Sequence, residues 1–200
     1  MRSIRIMAIA GSARIPSSNR KLLGFAAGIA GDMGCEIDLA EMRDFPMPLY
    51  DGDHEQVHGQ PEPAKALKAR LLQADALLLA CPEYNASITP LLKNTIDWIS
   101  RPQPGEPNAF KLKPAALISA SVGALGGLRG LTTVRAVLTQ LGALVVPTQF
   151  ALGGGPAAFG EDGGLVNAAL HQLLADTVAE LVTVAGAMRL ALSPEMAVSA

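Results

Sequence analysis

The sequence predicts an α/β protein in which helices cover both faces of a parallel, doubly wound sheet. Short apolar runs and segments of helical periodicity alternate five times along the 200 residues, which is the order of parallel strands joined by crossover helices. Hydrophobic residues make up 50% of the chain but aromatic residues only 4%. The core must therefore be aliphatic, which suits helices packed on a parallel sheet.

The first quarter of the chain predicts a strand, a helix, a strand and a loop. Residues 3–10 form a short apolar run that ends at a Gly-Ser break. Residues 19–33 carry Leu, Ala and Ile at helical spacing and are followed by a glycine. Residues 35–40 alternate as a short strand does, and residues 43–61 are rich in Pro, Asp, Gly and His, which indicates a loop.

The middle of the chain predicts two further strands, each preceded and followed by a helix. A proline lies near the start of both residues 63–73 and residues 90–100, where it suits the first helical turn. Residues 75–80 predict a strand that is continuously apolar from residue 76, as expected of a strand that is buried on both faces. Residues 114–120 form the fourth strand, and residues 127–141 form a helix that ends at a glycine.

The last quarter predicts the fifth strand and a long helix. Residues 143–147 form the strand, residues 153–155 a glycine loop, and residues 165–190 the helix. The length fits one domain over residues 1–190, with residues 191–200 as a loose tail.

Charge and cysteine content exclude several classes of function. A formal net charge of −2 lacks the basic face of a nucleic-acid-binding protein. No stretch reaches the roughly 18 apolar residues of a membrane span. Two cysteines do not make a disulfide scaffold, so a cytoplasmic location is expected. His54 and His58 lie among acidic residues, but a solvated loop explains them better than a metal, and no metal is predicted.

Three polar, glycine-containing loops follow predicted strands. They cover residues 11–19, 82–87 and 119–129. In an open parallel sheet, ligands bind beyond the carboxyl ends of the strands. The three loops are therefore expected to meet at one edge of the sheet and to form the binding site.

The first loop has the residues of a phosphate site. Hydroxyls of Ser12, Ser17 and Ser18 combine with Arg14 and Asn19 directly before a helix, where backbone N–H groups and the helix dipole already favour an anion. Ordinary helix capping is the alternative. Neither a G-x-G-x-x-G fingerprint nor a Walker A loop is present, so the loop favours a mononucleotide with one phosphate.

The other two loops fit a flat ring. Tyr84 and Asn85 could supply an aromatic platform and an amide, although a rigid turn explains this loop better when it is taken alone. The glycines of residues 119–127 let the backbone approach a ligand, or else make a flexible loop. Cys81, at a strand end, is interpreted as a buried residue rather than a redox thiol.

With these residues in view, the chain resembles the NADPH-dependent FMN reductases of the flavodoxin-like group, which include azo-, quinone- and chromate-reducing enzymes. Residues 82–98 match the signature P-E-Y-N-x-S … L-K-N-x-x-D-W, with Thr89-Pro90 where the family often has Pro-Gly. Residues 11–19 match the phosphate loop G-S-x-R-x-x-S-x-N, and residues 121–127 match S-x-G-x-x-G-G.

The resemblance implies a five-stranded sheet of order 2-1-3-4-5, bound FMN, and NADPH or NADH as co-substrate. It also implies a homodimer or homotetramer, with Lys93, Asp97 and Trp98 serving structure and subunit packing. Together with the loop chemistry, it gives the following cofactor-binding residues: Ser12, Arg14, Ser17, Ser18 and Asn19 for the phosphate, Pro82, Glu83, Tyr84 and Asn85 for the isoalloxazine, and Ser119, Ser121 and Gly123 for its other side.

The implied activity is a reductase that passes electrons from NAD(P)H through FMN to a small acceptor in a ping-pong scheme. The cofactor carries the chemistry, so no side-chain general base is expected. A flavodoxin-type electron carrier, a flavin redox sensor and a flavin supplier to a monooxygenase are the alternatives. Arg14 has two possible roles, since it could bind a phosphate of NADPH as well as, or instead of, that of FMN.

Overall fold

A computed structural model of the chain describes residues 2–161 and 163–192 and has a five-stranded parallel sheet at its centre. The strands are β1 (Arg5–Ala10), β2 (Glu36–Ala40), β3 (Ala76–Ala80), β4 (Glu83–Tyr84), β5 (Ser87–Ile88), β6 (Pro114–Ala120) and β7 (Leu144–Leu152). The central sheet has the order β2-β1-β3-β6-β7, and every neighbouring pair is parallel. Counted within that sheet, this is the predicted order 2-1-3-4-5, which is confirmed.

Helices cover both faces of the sheet, as predicted. They are α1 (Ser18–Asp32), α2 (Gly52–His58), α3 (Glu62–Gln73), α4 (Pro90–Ile99), α5 (Leu128–Gln140) and α6 (Ala168–Ala191). One core lies between the sheet and α1 and α6, and the other lies between the sheet and α3, α4 and α5. Along β1, Ile6 and Ala8 enter the first core, whereas Met7 and Ile9 enter the second. The strict alternation explains why residues 6–10 of the strand are all apolar.

Strand β7 continues to Leu152, beyond the end predicted at Pro147. Residues 115 and 117 of β6 pair with residues 145 and 149 of β7, so a register shift lies between the two pairs. A proline cannot donate to a ladder but is tolerated on an edge strand or at a bulge, and Pro147 lies within this irregular segment of an edge strand. The strand therefore passes the proline instead of ending there.

The prediction of a loop over residues 43–61 was wrong for helix α2. Asp51 caps this helix, because its carboxylate accepts the N–H groups of Asp53 at 2.8 Å and His54 at 3.3 Å. The segment before it is tied to α4 by the indole N–H of Trp98, which donates to the Pro48 carbonyl at 2.8 Å. Trp98 is fully buried within the subunit, so its role is structural.

The C-terminal helix begins three residues later than predicted, at Ala168, and ends one residue later. It includes residue 191, where the tail was expected to begin, and the rest of that prediction, residues 193–200, lies outside the described residues. In the part of the chain that the structure describes, no helix has both the length and the apolarity needed to cross a bilayer.

Candidate functional site

The three polar loops meet at the carboxyl edge of the sheet, as predicted. Backbone hydrogen bonds run between neighbouring strand ends, from Gly11 N to Ala80 O at 2.9 Å and from Cys81 N to Ile118 O at 2.8 Å. The loops enclose a cavity of about 300 Å³, here called the loop cavity. Nine of the residues predicted to bind the cofactor line it: Ser12, Arg14, Ser17, Ser18, Asn19, Pro82, Glu83, Tyr84 and Ser121.

The first loop delivers the N-terminus of α1 to this cavity. Ser17 is the N-cap residue, and its hydroxyl accepts the backbone N–H of Arg20 at 3.3 Å. Ser18 and Asn19 form the first turn, whose N–H groups have no carbonyl acceptor within the helix. Ser17 thus caps the helix, as the capping alternative predicted, while the N–H groups of Ser18 and Asn19 remain as donors at a helix end of the kind that favours anions.

Two arginines that the sequence motifs did not indicate hold the carbonyl groups of this loop. Arg20 donates to Arg14 O at 3.4 Å and Ile15 O at 3.5 Å, and it pairs with Glu41 at 2.7 Å. Arg43, from the turn before α2, donates through Nε to Ala13 O at 2.6 Å. Two guanidinium groups therefore fix this loop through its carbonyl groups.

Asn19 joins α1 to the end of β6. Its side-chain amide donates to Ala120 O at 2.7 Å and accepts from Ala120 N at 3.0 Å, and the residue is only 5% exposed. The resemblance implied that Asn19 holds a phosphate. Both ends of the amide are thus engaged by the backbone of Ala120, while the main-chain N–H of Asn19 lies in the first turn of α1.

The second loop is a small β-hairpin formed by β4 and β5, which the sequence analysis described only as a turn. Asn85 and Ala86 occupy its tip with φ values of 52° and 63°. Two residues with positive φ are typical of tight hairpin turns. Asn85 is exposed at the tip and does not line the loop cavity, whereas Tyr84, 52% exposed, forms part of its wall.

The carboxylate of Glu83 is bound to the first turn of α5. It accepts the N–H of Gly130 at 3.0 Å and two bonds from the Arg129 guanidinium at 3.0 and 2.6 Å. Burial acts to raise the pKa of Glu83, but the Gly130 N–H and the Arg129 guanidinium outweigh it, so the pKa lies below its usual value. The side chain thus links the second loop to the third, and its charge is neutralised there.

Ser119, Gly126 and Gly127 of the third loop serve its internal packing. The buried hydroxyl of Ser119 donates to Gly126 O at 2.7 Å. Gly127 has a φ of 93°, and a Cβ there would lie 2.9 Å from the Ser119 hydroxyl. Ser119 and Gly123 do not line the loop cavity, whereas Ser121 does.

Thr89 accounts for the departure from Pro-Gly in the signature. It is buried, it caps α4 by accepting Leu92 N at 3.3 Å, and its hydroxyl donates to Gly11 O at 3.0 Å. One side chain therefore begins α4 and fixes the start of the first loop. The sequence signalled the cap, as a threonine before proline, but not the bond to Gly11.

Cys81, His54 and His58 do not line the loop cavity. Cys81 is fully buried, its thiol donates to Leu79 O at 3.4 Å, and burial raises its pKa, which confirms the interpretation as a buried cysteine. The rings of His54 and His58 lie 4.6 Å apart on α2. Among the described residues, no group of three or more His, Cys, Asp or Glu residues could hold a metal ion.

A doubly wound sheet with a helix N-terminus, clustered hydroxyls and an arginine at its switch point defines a mononucleotide-binding protein of the flavodoxin-like class. The sequence profile of the family described as NADPH-dependent FMN reductase matches residues 4–157. The chain therefore belongs to this family of oxidoreductases, which use FMN and NAD(P)H, as the resemblance predicted.

Related proteins agree with this assignment. A probable NADPH:quinone oxidoreductase 2 of Oryza sativa subsp. japonica is 35% identical over 90% of this chain and 88% of its own length. An NAD(P)H-dependent FMN reductase of Pseudomonas aeruginosa is 40% identical over 69% of this chain and 71% of its own. Among solved structures, FerB, a flavoenzyme NAD(P)H:(acceptor) oxidoreductase from Paracoccus denitrificans, matches with a TM-score of 0.78 and 28% identity over 94% of this chain and 99% of that chain.

Proposed function

We propose that this protein is an NAD(P)H-dependent, FMN-containing reductase that acts by a ping-pong mechanism on a small acceptor. The acceptor is a quinone, an azo compound, free flavin or a metal oxyanion. The observation that carries the proposal is the loop cavity, where an anion-binding helix end faces a tyrosine and strand-end backbone. The quinone and FMN reductases among the related proteins support the choice of acceptor class.

The donor set of the first loop fits the phosphate of FMN. Hydroxyls of Ser12 and Ser18, the N–H groups of the first turn of α1 and the guanidinium of Arg14 all border the cavity. Of the described residues that line it, Glu83 alone carries a carboxylate, which is paired with Arg129 and accepts the N–H of Gly130. A dianionic phosphate in the loop cavity would therefore contact hydrogen-bond donors and positive charge, with no unpaired carboxylate among the described lining residues to repel it.

The flavin ring fits between the second and third loops. Pro82 and Tyr84 border the cavity on one side, and Ala120, Ser121 and Val122 on the other. When bound, FMN supplies the hydride-accepting chemistry of the reaction. The side chains orient it: Tyr84 offers an apolar face, while Ser121 and backbone groups offer polar partners at the ring edge. Neither histidine nor cysteine lines the cavity among the described residues, which suits a reaction without a side-chain general base.

We also propose that the protein is a cytoplasmic homodimer or homotetramer. Val122 and Leu125 of the third loop are 82% and 53% exposed beside the loop cavity, and a second subunit could cover them. Both cysteines are free thiols, which suits a reducing compartment. Size-exclusion chromatography with light scattering tests the assembly, and a monomeric mass would contradict it.

The phosphate assignment is tested by titrating the protein with FMN and with riboflavin, which lacks the phosphate. FMN is expected to bind at least about 100-fold more tightly. Arg14→Ala should weaken FMN binding by roughly tenfold or more, since a hydrogen bond to a charged group contributes about 1.5–3 kcal/mol. Riboflavin affinity should not change. Lys65→Ala, which removes one exposed positive charge on α3, is the matched control.

Two outcomes would change the assignment. Equal affinity for riboflavin and FMN would contradict a phosphate site in the first loop. Normal FMN affinity in Arg14→Ala together with a raised KM for NADPH would move Arg14 to the alternative role, binding a phosphate of NADPH.

A further inference from the structure

A second cavity, of about 490 Å³, lies directly beside the loop cavity. Ser12, Arg14 and Tyr84 line both cavities, so the two are adjacent and share a wall. Arg43 and Leu91 belong to the second cavity alone, here called the outer cavity. A ligand that touches the flavin ring near Tyr84 can therefore extend past the first loop into the outer cavity.

The outer cavity has a positive wall. Arg14 and Arg43 supply its charge, and none of the described residues that line it is acidic. The nearest acidic residues in sequence to Arg43 do not offset this charge within the wall. Glu41 is paired with Arg20 at 2.7 Å, and Asp44 is exposed outside the lining.

The guanidinium of Arg43 is held in place and still has capacity to bind. Its Nε donates to Ala13 O at 2.6 Å, which fixes the group against the first loop. In residues 2–161 and 163–192, its two amino groups have no described hydrogen bond or ion pair. A guanidinium fixed in this way presents a planar pair of donors that matches a phosphate group.

We propose that the outer cavity binds a phosphate of the nicotinamide dinucleotide and that Arg43 recognises that phosphate. The inference rests on the proposed function, in which the nicotinamide must lie against the flavin ring to deliver its hydride. The N-terminus of α1 serves the phosphate of FMN, so the phosphates of the dinucleotide need a separate positive surface. They could meet Arg43 through the 2′-phosphate of NADPH or through the pyrophosphate bridge that NADPH and NADH share.

The test is a calorimetric titration of the FMN-loaded protein with NADP⁺ and with NAD⁺. Arg43→Gln should weaken binding of NADP⁺ by about tenfold or more and leave the FMN affinity within about twofold of the wild type. Arg43→Lys should restore part of the affinity, because it keeps the charge but not the paired donors. Lys65→Gln, which removes a distant surface charge, should bind like the wild type.

The two dinucleotides distinguish the source of the phosphate. A loss confined to NADP⁺ assigns Arg43 to the 2′-phosphate, whereas an equal loss for both assigns it to the pyrophosphate. Unchanged affinity for both in Arg43→Gln would overturn the proposal. A parallel loss of FMN affinity would also overturn it, since Arg43 would then belong to the flavin site.

Failure of the proposed function gives a different result. Wild-type protein that binds FMN but is not reduced by NADPH or NADH would refute the reductase. NADP⁺ binding that still depends on Arg43 in such a protein would support the outer cavity as a dinucleotide site.

Discussion

The side chain of Asn19 is expected to stabilise the folded protein rather than to bind phosphate. Asn19→Ala removes both hydrogen bonds to Ala120 and leaves a buried backbone N–H and a buried carbonyl without partners. Each unsatisfied buried group costs about 1–3 kcal/mol, while the better helix propensity of alanine returns roughly 0.5 kcal/mol. The free energy of unfolding should therefore fall by about 2–4 kcal/mol.

The loss is measured on the apoprotein, so that flavin binding does not contribute. For a chain of this size, each kcal/mol moves the melting temperature by about 2–4 °C, and a fall of roughly 5–15 °C is expected. Asn167→Ala is the matched control. Asn167 caps α6 at an exposed position by accepting the N–H groups of Ala169 at 2.9 Å and Leu170 at 3.2 Å. Loss of this cap should lower the free energy of unfolding by only about 1 kcal/mol.

The reasoning would be refuted if Asn19→Ala melted like the wild type in the apo form and yet bound FMN more than tenfold more weakly. Asn19 would then be a direct phosphate ligand. A large loss of apo stability, with FMN affinity reduced only in proportion to the unfolded fraction, supports the structural role.

Two further predictions concern the second and third loops. Glu83→Gln should lower stability at neutral pH, because the carboxylate, with its lowered pKa, stabilises the folded state when ionised. This contribution disappears as the pH falls through the pKa that Glu83 has in the folded state. The free energies of unfolding in urea should therefore become equal for the variant and the wild type in acid. A difference that stays constant with pH would contradict the prediction. Gly127→Ala should lower the free energy of unfolding by at least about 1–2 kcal/mol, because residue 127 has a positive φ and the new Cβ would press against Ser119. Gly24→Ala lies at an open position in α1 and should instead raise the free energy of unfolding by about 0.5–1 kcal/mol. Thermal melts of the two variants check this pair, and equal shifts would refute it.

The order of elements could be predicted because each strand and helix carries its own pattern. Residues 76–80 are apolar throughout because both faces are covered, and β6 has the predicted bounds. The end of β7 could not be predicted, since it depends on how Pro147 meets the register shift with β6. Helix α2 was missed because none of its residues is buried, so it has no apolar periodicity to detect.

The sequence predicted the location of the site but not most of the contacts that its residues make. Polar loops after parallel strands had to converge, and most of the predicted residues do line the loop cavity. The individual roles depend on partners far away in sequence. Asn19 meets Ala120 at a separation of 101 residues, and Arg43 meets Ala13 at a separation of 30. Local motifs carry no information about such contacts, so the sequence did not indicate that Asn19 bonds to Ala120 or that Arg43 contacts the first loop.

The most direct test of the proposed function is an anaerobic addition of NADPH to protein that has been loaded with FMN and desalted. We expect the protein to retain the flavin, and its visible absorption to bleach within seconds and to return when a quinone is added. A flavin that stays oxidised with both NADPH and NADH, yet bleaches with dithionite, would contradict the reductase and indicate an electron carrier or a redox sensor.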